Sequence, residues 1–365
     1  MGGMKIEDLG YNSFFEENRN RLDFRDFPVA RVVSESRGAY KVKNTDGEYL
    51  AKVTGRQMFE ALSREDFPAV GDWVAISDVD GEHAVIRGIL PRITVIKRKY
   101  GDKNRAGEKN EIQVIAANID VAFAVESVDR DYNLNRFERY FAIARDGGVR
   151  PAIVLNKIDL LSKEELDEKL VQLKNRFPDI DVILTSAVND KGLADLRKYI
   201  TRGKTYCFLG SSGVGKSSLI NKLIGSNAIK TGDISSYSGR GKHITTQRQI
   251  YFLENGGIVI DNPGMREVGM AHTSRGIDVF FDEITDLGRK CRYADCTHTH
   301  EPGCKVMRAV KSGKLDEEKY SNYINLKEEA EYHEMSDAEK RAKDRELGKF
   351  IKKAKKELKD FGREK

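Results

Sequence analysis

Residues 210–217 read Gly-Ser-Ser-Gly-Val-Gly-Lys-Ser, the pattern of a phosphate-binding loop. Glycines let backbone N–H groups curl around phosphates without Cβ clashes, and the helix that begins near Lys216 adds its positive end. Lys216 is expected to reach the β- and γ-phosphates, and Ser217 to offer its hydroxyl to Mg²⁺. The predicted phosphate-contacting residues are Gly210, Ser211, Ser212, Gly213, Val214, Gly215, Lys216, Ser217 and Ser218.

A second motif, Asn156-Lys-Ile-Asp159, follows the apolar strand predicted at 151–155. A carboxylate at Asp159 can accept hydrogen bonds from guanine N1 and N2, and a site built on such a pairing rejects the wrong base by ~10⁴ or more. Residues 185–187 follow the next strand, where their backbone can meet the guanine O6. The sequence therefore predicts GTP or GDP, and an ATP-dependent kinase or ATPase only if Asp159 does not read guanine. The predicted base-contacting residues are Asn156, Lys157, Asp159, Thr185, Ser186 and Ala187.

A third motif, Asp261-Asn-Pro-Gly264, ends the strand predicted at 257–260. Asp261 can hold Mg²⁺ through water, and the N–H of Gly264 can meet the γ-phosphate. The next residue is Met265, at the position where many GTPases carry the glutamine that orients the attacking water. Because a thioether cannot orient water, either another group does so or intrinsic hydrolysis is slow.

The polar, glycine-bearing stretch Ser235–Thr246 lies between the phosphate-loop helix and the next strand. Its position predicts a switch loop that becomes ordered around the γ-phosphate and Mg²⁺. Thr245 or Thr246 is the expected magnesium ligand in this loop. His243 is the candidate for orienting the attacking water, and an exposed loop histidine without a role is the alternative.

The motifs occur in an unusual order, because the guanine-reading motif precedes the phosphate loop. Strands alternate with helices from about residue 119 onward, which predicts a parallel sheet with covered faces, and ligands bind at the carboxyl ends of such strands. The same sheet forms if the chain is cut between the Asp261 strand and the guanine-reading half. We therefore predict a circularly permuted GTPase domain at 112–280. The segment after Gly264 then leads directly into the C-terminal domain.

An N-terminal domain at 1–99 is predicted to be a small β-barrel. Between about residues 29 and 97, roughly five short β-rich runs are separated by turn sequences, of which Asn44–Gly47 and Asp78–Gly81 are examples. An OB-like fold is the simplest interpretation of this pattern. Such barrels often bind RNA, although a barrel that serves only as a structural spacer would show the same pattern. The Lys-, Arg- and Gly-rich stretch Tyr100–Glu111 is predicted to be a mobile basic linker.

A C-terminal domain at 281–365 is predicted to hold one structural Zn²⁺. Three cysteines and a histidine lie within a short, glycine-containing segment, which fits a closed tetrahedral site. His300 is an alternative to His298 as the fourth ligand. The remaining cysteine, Cys207, is expected to be a small core residue. The predicted zinc ligands are Cys291, Cys296, His298 and Cys304.

Composition limits the class of protein. Apolar residues make up 39% and charged residues 33% of the chain, and the formal net charge is +5. We expect no transmembrane helix, no secretory signal and no disulfide framework, and hence a cytoplasmic protein. From Lys340 to Lys365 basic residues outnumber acidic ones about two to one, as in tails that meet phosphate backbones or merely stay solvated.

A barrel, a permuted GTPase and a Cys-x4-Cys-x-His-x5-Cys knuckle, in this order, resemble the ribosome small-subunit-dependent GTPase A family. The most specific residues are Gly241-Lys-His-Ile-Thr-Thr246 and Cys296-Thr-His-Thr-His-Glu-Pro-Gly-Cys304, together with the three motifs above. The resemblance implies a bacterial GTPase that binds the small ribosomal subunit and its rRNA late in assembly. It would hydrolyse GTP there and help to release a maturation factor or itself.

The resemblance also implies a catalytic role for His243. Ile244 stands where the family usually has another threonine, so the magnesium ligand is Thr245 or Thr246, with Thr246 favoured. A monomer that binds neither membrane nor DNA is expected. An RNA-binding adaptor, regulated by the nucleotide and hydrolysing it negligibly, is the alternative that Met265 suggests.

Overall fold

The computed structural model describes residues 4–36, 38–100, 111–129, 132–226, 228–229, 248–261 and 273–335, with single positions to 345. Several predictions fall outside this part of the chain. They concern the switch loop with His243, Thr245 and Thr246, the residues from Asn262 to Met265, and most of the basic tail.

The N-terminal part is a closed β-barrel, as predicted. A 3-10 helix (Ile6–Leu9) and α1 (Ser13–Arg21) precede its strands. The strands are β1 (Val29–Ser36), β2 (Ala39–Lys43), β3 (Glu48–Val53), β4 (Trp73–Asp78) and β5 (His83–Ile89), with α2 (Gly55–Glu60) between β3 and β4. Their order is β1-β2-β3-β5-β4, β4 pairs back with β1, and only the β3–β5 pairing is parallel. Alternating residues of β2 and β3 are buried, which fills the barrel, and the exposed positions are polar except for Leu50.

The stretch predicted as a linker joins two paired strands. β6 (Val95–Tyr100) and β7 (Glu111–Ala117) form an antiparallel pair in which Tyr100 lies opposite Glu111. The linker prediction was therefore wrong at both ends of the segment, and residues 101–110 lie outside the described chain. The polar composition was misleading because an antiparallel pair needs only one apolar face, so the strands can extend to Tyr100 and Glu111.

The central part is the predicted α/β domain. Its first half comprises β8 (Val121–Ser127), α3 (Leu134–Asp146), β9 (Arg150–Asn156), α4 (Lys163–Arg176), β10 (Val182–Leu184) and α5 (Leu193–Tyr199). Its second half comprises β11 (Thr205–Leu209), α6 (Lys216–Ile224), β12 (Gln249–Phe252) and β13 (Ile258–Asp261). The sheet order is β10-β9-β8-β11-β13-β12, and every pairing except β12–β13 is parallel.

This strand order shows how the permuted chain forms an uninterrupted sheet. Strand β11 lies at its centre, between β8 from the first half and β13 from the second half. All residues of β8 and β11 are buried, as expected for a parallel sheet that is covered on both faces. The carboxyl ends of β9, β10, β11 and β13 therefore share one edge, where the predicted motifs lie.

The C-terminal part is helical. It contains α7 (Ser274–Phe280), α8 (Asp282–Gly288), α9 (Lys305–Lys311) and α10 (Glu317–Glu334). Helix α10 is attached to α3 through Glu138, a fully buried carboxylate that accepts hydrogen bonds from Arg176 and Asn322. None of the helices in the described ranges is both long enough and apolar enough to cross a membrane.

Arg31 connects the barrel to the α/β domain. It lies on β1 and is fully buried, and its guanidinium donates to the carbonyl oxygens of Leu9 (2.5 Å), Gly71 (3.4 Å) and Asn118 (3.2 Å). It also donates to Oγ1 of Thr205 at 2.9 Å, in the first residue of β11. Burial lowers the pKa of Arg31 to about 10, so the group remains charged at neutral pH. Its donors are matched by acceptors from four separate segments of the chain.

We expect Arg31→Met to lower the free energy of unfolding by about 3 kcal/mol or more, because each buried acceptor left unpaired costs ~1–3 kcal/mol. Urea titration followed by the fluorescence of Trp73, the only tryptophan in the chain, measures this loss. Trp73 is suited to the purpose because its ring centroid lies 5.9 Å from the Arg31 guanidinium.

The matched control is Arg87→Met. The exposed Arg87 makes a side-chain hydrogen bond to Ser77 at 2.7 Å, and its removal should change stability by no more than about 0.5 kcal/mol. Equal urea midpoints for the two variants would show that the buried network does not stabilise the junction.

Candidate nucleotide site and metal cluster

The phosphate loop begins where the central strand β11 ends. Gly210 has φ 153°, and a Cβ there would lie 2.3 Å from the carbonyl oxygen of Val125, so the loop passes too close to β8 for a side chain. Nζ of Lys216 donates to the carbonyl oxygens of Gly210 (2.7 Å) and Ser211 (2.5 Å). The loop thus holds this ammonium group against its own backbone at the start of α6, and a helix N-terminus with a cation beside it suits an anionic ligand.

Asn156 joins the two halves of the site. Its Nδ2 donates to the carbonyl oxygen of Val214 at 2.8 Å, across a separation of 58 residues in the chain. Its Oδ1 accepts from Oγ1 of Thr185 at 3.1 Å. The side chain is buried, and both ends of its amide are used. Asn156 therefore fixes the guanine-reading motif against the phosphate loop, while Thr185 ties it to the end of β10.

Asp159 lies at the same edge of the sheet and is exposed. Oγ of Ser186 donates to its Oδ1 at 2.5 Å, and the N–H of Ile158 donates to the carbonyl oxygen of Thr185 at 3.2 Å. Residues 185 and 186, which follow β10, thus also orient the Asp159 carboxylate. The structure brings the two predicted base-contacting segments together.

Lys157 has a left-handed backbone, with φ 62° and ψ 33°. Its Nζ donates to Oδ2 of Asp129 at 2.7 Å, and Oγ of Ser127 donates to Oδ1 of the same carboxylate at 2.6 Å. Asp129 follows the carboxyl end of β8 and is absent from our sequence predictions. The signal that could have found it is its position, because polar residues after a parallel strand reach the ligand edge of the sheet.

Asp261 is the last residue of β13 and is buried. Burial raises its pKa to about 6, and the nearby Lys216 ammonium opposes that rise. A cation beside this carboxylate would favour its charged form, which is the form that can hold Mg²⁺. Ser217 lies in the first turn of α6, whereas the predicted partners Thr246 and Gly264 lie outside the described residues.

The three cysteines and His298 form one compact cluster. Their ligand atoms all lie within 4.8 Å of one another. Nδ1 of His298 is 3.6 Å from Sγ of both Cys291 and Cys304, and the two sulfurs are 3.9 Å apart. A tetrahedral zinc ion with Zn–S ~2.3 Å and Zn–N ~2.0 Å places neighbouring donor atoms about 3.5–3.8 Å apart, so the cluster fits such an ion.

The pKa shifts within the cluster do not all point the same way, because burial raises the pKa of the Cys296 thiol. Burial opposes ionisation of Cys291, but backbone N–H groups, led by that of Lys305, hold the pKa of its thiol below the usual value. Burial also lowers the pKa of His298, which favours the neutral imidazole that binds metals. His300 lies outside the cluster, because its Nδ1 instead meets Oγ1 of Thr299 at 2.8 Å.

The sheet, the phosphate loop after its central strand and the earlier Asn156–Asp159 motif define a circularly permuted P-loop GTPase, an enzyme that hydrolyses GTP. The model of the RsgA GTPase family matches residues 89–271, and a model described as a 50S ribosome-binding GTPase matches residues 205–357. The chain belongs to the RsgA GTPase family, which confirms the resemblance inferred from its motifs.

Alignments with similar proteins extend over most of this chain. "Small ribosomal subunit biogenesis GTPase RsgA 1" of Bacteroides thetaiotaomicron is 37% identical over 96% of this chain and 97% of its own length. "Small ribosomal subunit biogenesis GTPase RsgA 2" of Lactiplantibacillus plantarum is 40% identical over 84% of this chain and 85% of its own length. The crystal structure of YjeQ from Thermotoga maritima has a TM-score of 0.61 at 26% identity, covering 82% of this chain and 97% of its own.

We expect Gly215→Ala to weaken binding of GDP and GTP by about tenfold or more. A Cβ at this position would lie 2.3 Å from Nδ2 of Asn156, so the residue that joins the two halves of the site must move. Titration with a fluorescent guanine nucleotide measures the change in Kd, and each 1.4 kcal/mol lost corresponds to about tenfold.

Gly225→Ala is the control, since Gly225 also has positive φ, yet a Cβ there meets nothing within 4 Å. Both variants strain the backbone, but only the first displaces Asn156. Equal weakening by the two substitutions would mean that backbone strain, rather than the Asn156 contact, is responsible.

Proposed function

We propose that this GTPase binds the small ribosomal subunit and its rRNA and acts late in the maturation of that subunit. It hydrolyses GTP to GDP and phosphate, faster on the subunit than alone, and the reaction releases assembly factors or the enzyme itself. The observation that carries this proposal is the closed OB-like barrel joined to a permuted GTPase sheet, in a chain 37–40% identical to proteins named for small ribosomal subunit biogenesis.

The nucleotide roles within this proposal are those predicted from the sequence motifs, and the geometry of the described residues supports two of them. Asp159, oriented by Ser186, reads guanine N1 and N2, and the phosphate loop with Lys216 holds the phosphates. Ser217 and Thr246 bind Mg²⁺, and Asp261 supports that ion through water. Gly264 contacts the γ-phosphate, and His243 orients the attacking water in place of the glutamine that Met265 replaces.

We propose the domain division predicted from the sequence, at 1–99, 112–280 and 281–365, with the β6–β7 pair spanning the first boundary. The barrel and the C-terminal domain are the parts that we assign to rRNA contact. Both parts are attached to the GTPase domain, because Arg31 ties the barrel to β11 and Glu138 ties α3 to α10. The adaptor alternative gains no support, since the relatives are named as GTPases.

Purified small ribosomal subunits should stimulate GTP turnover by this enzyme by about tenfold or more. His243→Ala should lower the stimulated single-turnover rate by ~10²-fold, the usual contribution of a group that moves or orients a proton. Co-sedimentation with subunits in the presence of a non-hydrolysable GTP analogue checks that the variant still binds. Equal turnover with and without subunits would refute the proposed function.

We also propose that the cysteine and histidine cluster holds one structural Zn²⁺. His298→Ala should remove most of the zinc that metal analysis finds in the purified protein, because Nδ1 of His298 faces two of the thiolates. His300→Ala is the matched control and should retain the metal. Equal zinc contents in the two variants would contradict the assignment of His298 as the fourth ligand.

A further inference from the structure

We infer that Asp129, which lies outside every recognised motif, is a positioning residue for guanine-nucleotide affinity and acts by holding the side chain of Lys157. This inference rests on the proposed guanine-reading role of Asn156–Asp159. It adds to that role a residue that follows a different strand, β8.

Lys157 lies inside the guanine-reading motif. It lies between Asn156, which is bonded to the phosphate loop, and Asp159, which is proposed to read the base. Its left-handed backbone sets the direction in which the side chain leaves the chain. The Lys157 and Asp129 side chains are 28% and 32% exposed, so their ion pair lies at the boundary between the protein and solvent.

Asp129 is itself held in place. One carboxylate oxygen accepts from Oγ of Ser127 at 2.6 Å, and the other accepts from Nζ of Lys157 at 2.7 Å. Ser127 is buried at the end of β8 and is paired with Asn156 in the sheet. The carboxylate is therefore anchored to the same pair of strands that carries the guanine-reading motif.

The ion pair with Asp129 restricts the conformations of the Lys157 side chain. A lysine side chain is flexible, and fixing its ammonium group orders the four methylene groups before the ligand arrives. Ordered methylenes beside Asp159 present an apolar surface to a planar base, at a smaller entropic cost than a free side chain would incur. Asp129 thus preorganises one wall of the base site.

The expected effect is on binding and not on chemistry. Lys157 belongs to the base-reading motif and not to the residues assigned to the γ-phosphate, so its disorder should weaken GDP and GTP equally. Loss of such uniform binding raises KM and leaves kcat unchanged. A partly exposed ion pair contributes little to folding, so thermal stability should stay close to that of the wild type.

For Asp129→Ala and Asp129→Asn we would measure five quantities. They are the Kd of GDP, the Kd of a non-hydrolysable GTP analogue, KM and kcat for GTP, and the melting temperature. Asp129→Ala should raise both Kd values and KM by about fivefold, with kcat unchanged. Asp129→Asn should have a smaller effect, because an amide oxygen still accepts a hydrogen bond from Lys157. Glu65→Ala is the matched control for Asp129→Ala, since it breaks a similar pair with Lys97 (2.6 Å, with 37% and 31% exposure) in the barrel region.

A double-mutant cycle with Lys157→Ala tests whether Asp129 acts through the lysine. In the Lys157→Ala background, Asp129→Ala should cause no further change in Kd. The inference is overturned if Asp129→Ala binds both nucleotides as tightly as the wild type, if its effect persists without Lys157, or if only the melting temperature falls.

Asp159→Asn separates this inference from the proposal on which it rests. An asparagine at 159 pairs with xanthine, whose O2 accepts where the guanine amino group donates, so the variant should prefer XDP to GDP. Failure of that exchange refutes the guanine-reading role of the motif. A successful exchange with no effect of Asp129→Ala refutes only the role of Asp129.

Discussion

The hydrogen bond from the Asn156 side chain to the carbonyl oxygen of Val214 is the constraint on which the nucleotide site depends. It joins two segments that lie 58 residues apart and that follow different strands of the sheet. The amide both donates to the loop and accepts from Thr185, so a buried carboxylate could not replace it without facing a carbonyl oxygen. Gly215 has no side chain for the same reason, because a Cβ would occupy the space of the amide.

Strand β11 is fixed at both of its ends. Arg31 bonds to Thr205 at its start, and the loop after Leu209 is bonded to Asn156. The strand that carries the phosphate loop therefore also contacts the barrel, which is attached in addition through the antiparallel pairing of β1 with β12. A guanidinium suits this junction because its several donors reach acceptors from four segments, whereas an apolar residue would leave those acceptors buried and unpaired.

Local sequence patterns predicted the loop, the motif order, the barrel and the cysteine cluster, because each depends on short spacings or on residues that follow a strand. Arg31 and Asp129 were not predicted, since their partners come from distant segments; Arg31 and Thr205 are 174 residues apart. The pairing of β6 with β7 was hidden by a basic composition. The choice between His298 and His300 required the positions of the ring nitrogens, because the spacing allows either residue.

Helix α3 connects the C-terminal helices to the phosphate loop, in addition to the covalent connection that the permuted chain order creates. The carboxylate of Glu138 faces Arg176 and Asn322, and the hydroxyl of Tyr140, two residues later, lies 3.5 Å from Oγ of Ser211 in the phosphate loop. Burial raises the pKa of Glu138, while Arg176 opposes that rise, so the charged form depends on the pair remaining intact. The C-terminal helices are thus attached to the GTPase domain by the chain that follows Asp261 and also by a helix that contacts the phosphate loop. A rigid α3 cannot move against the loop without disturbing its contact with α10.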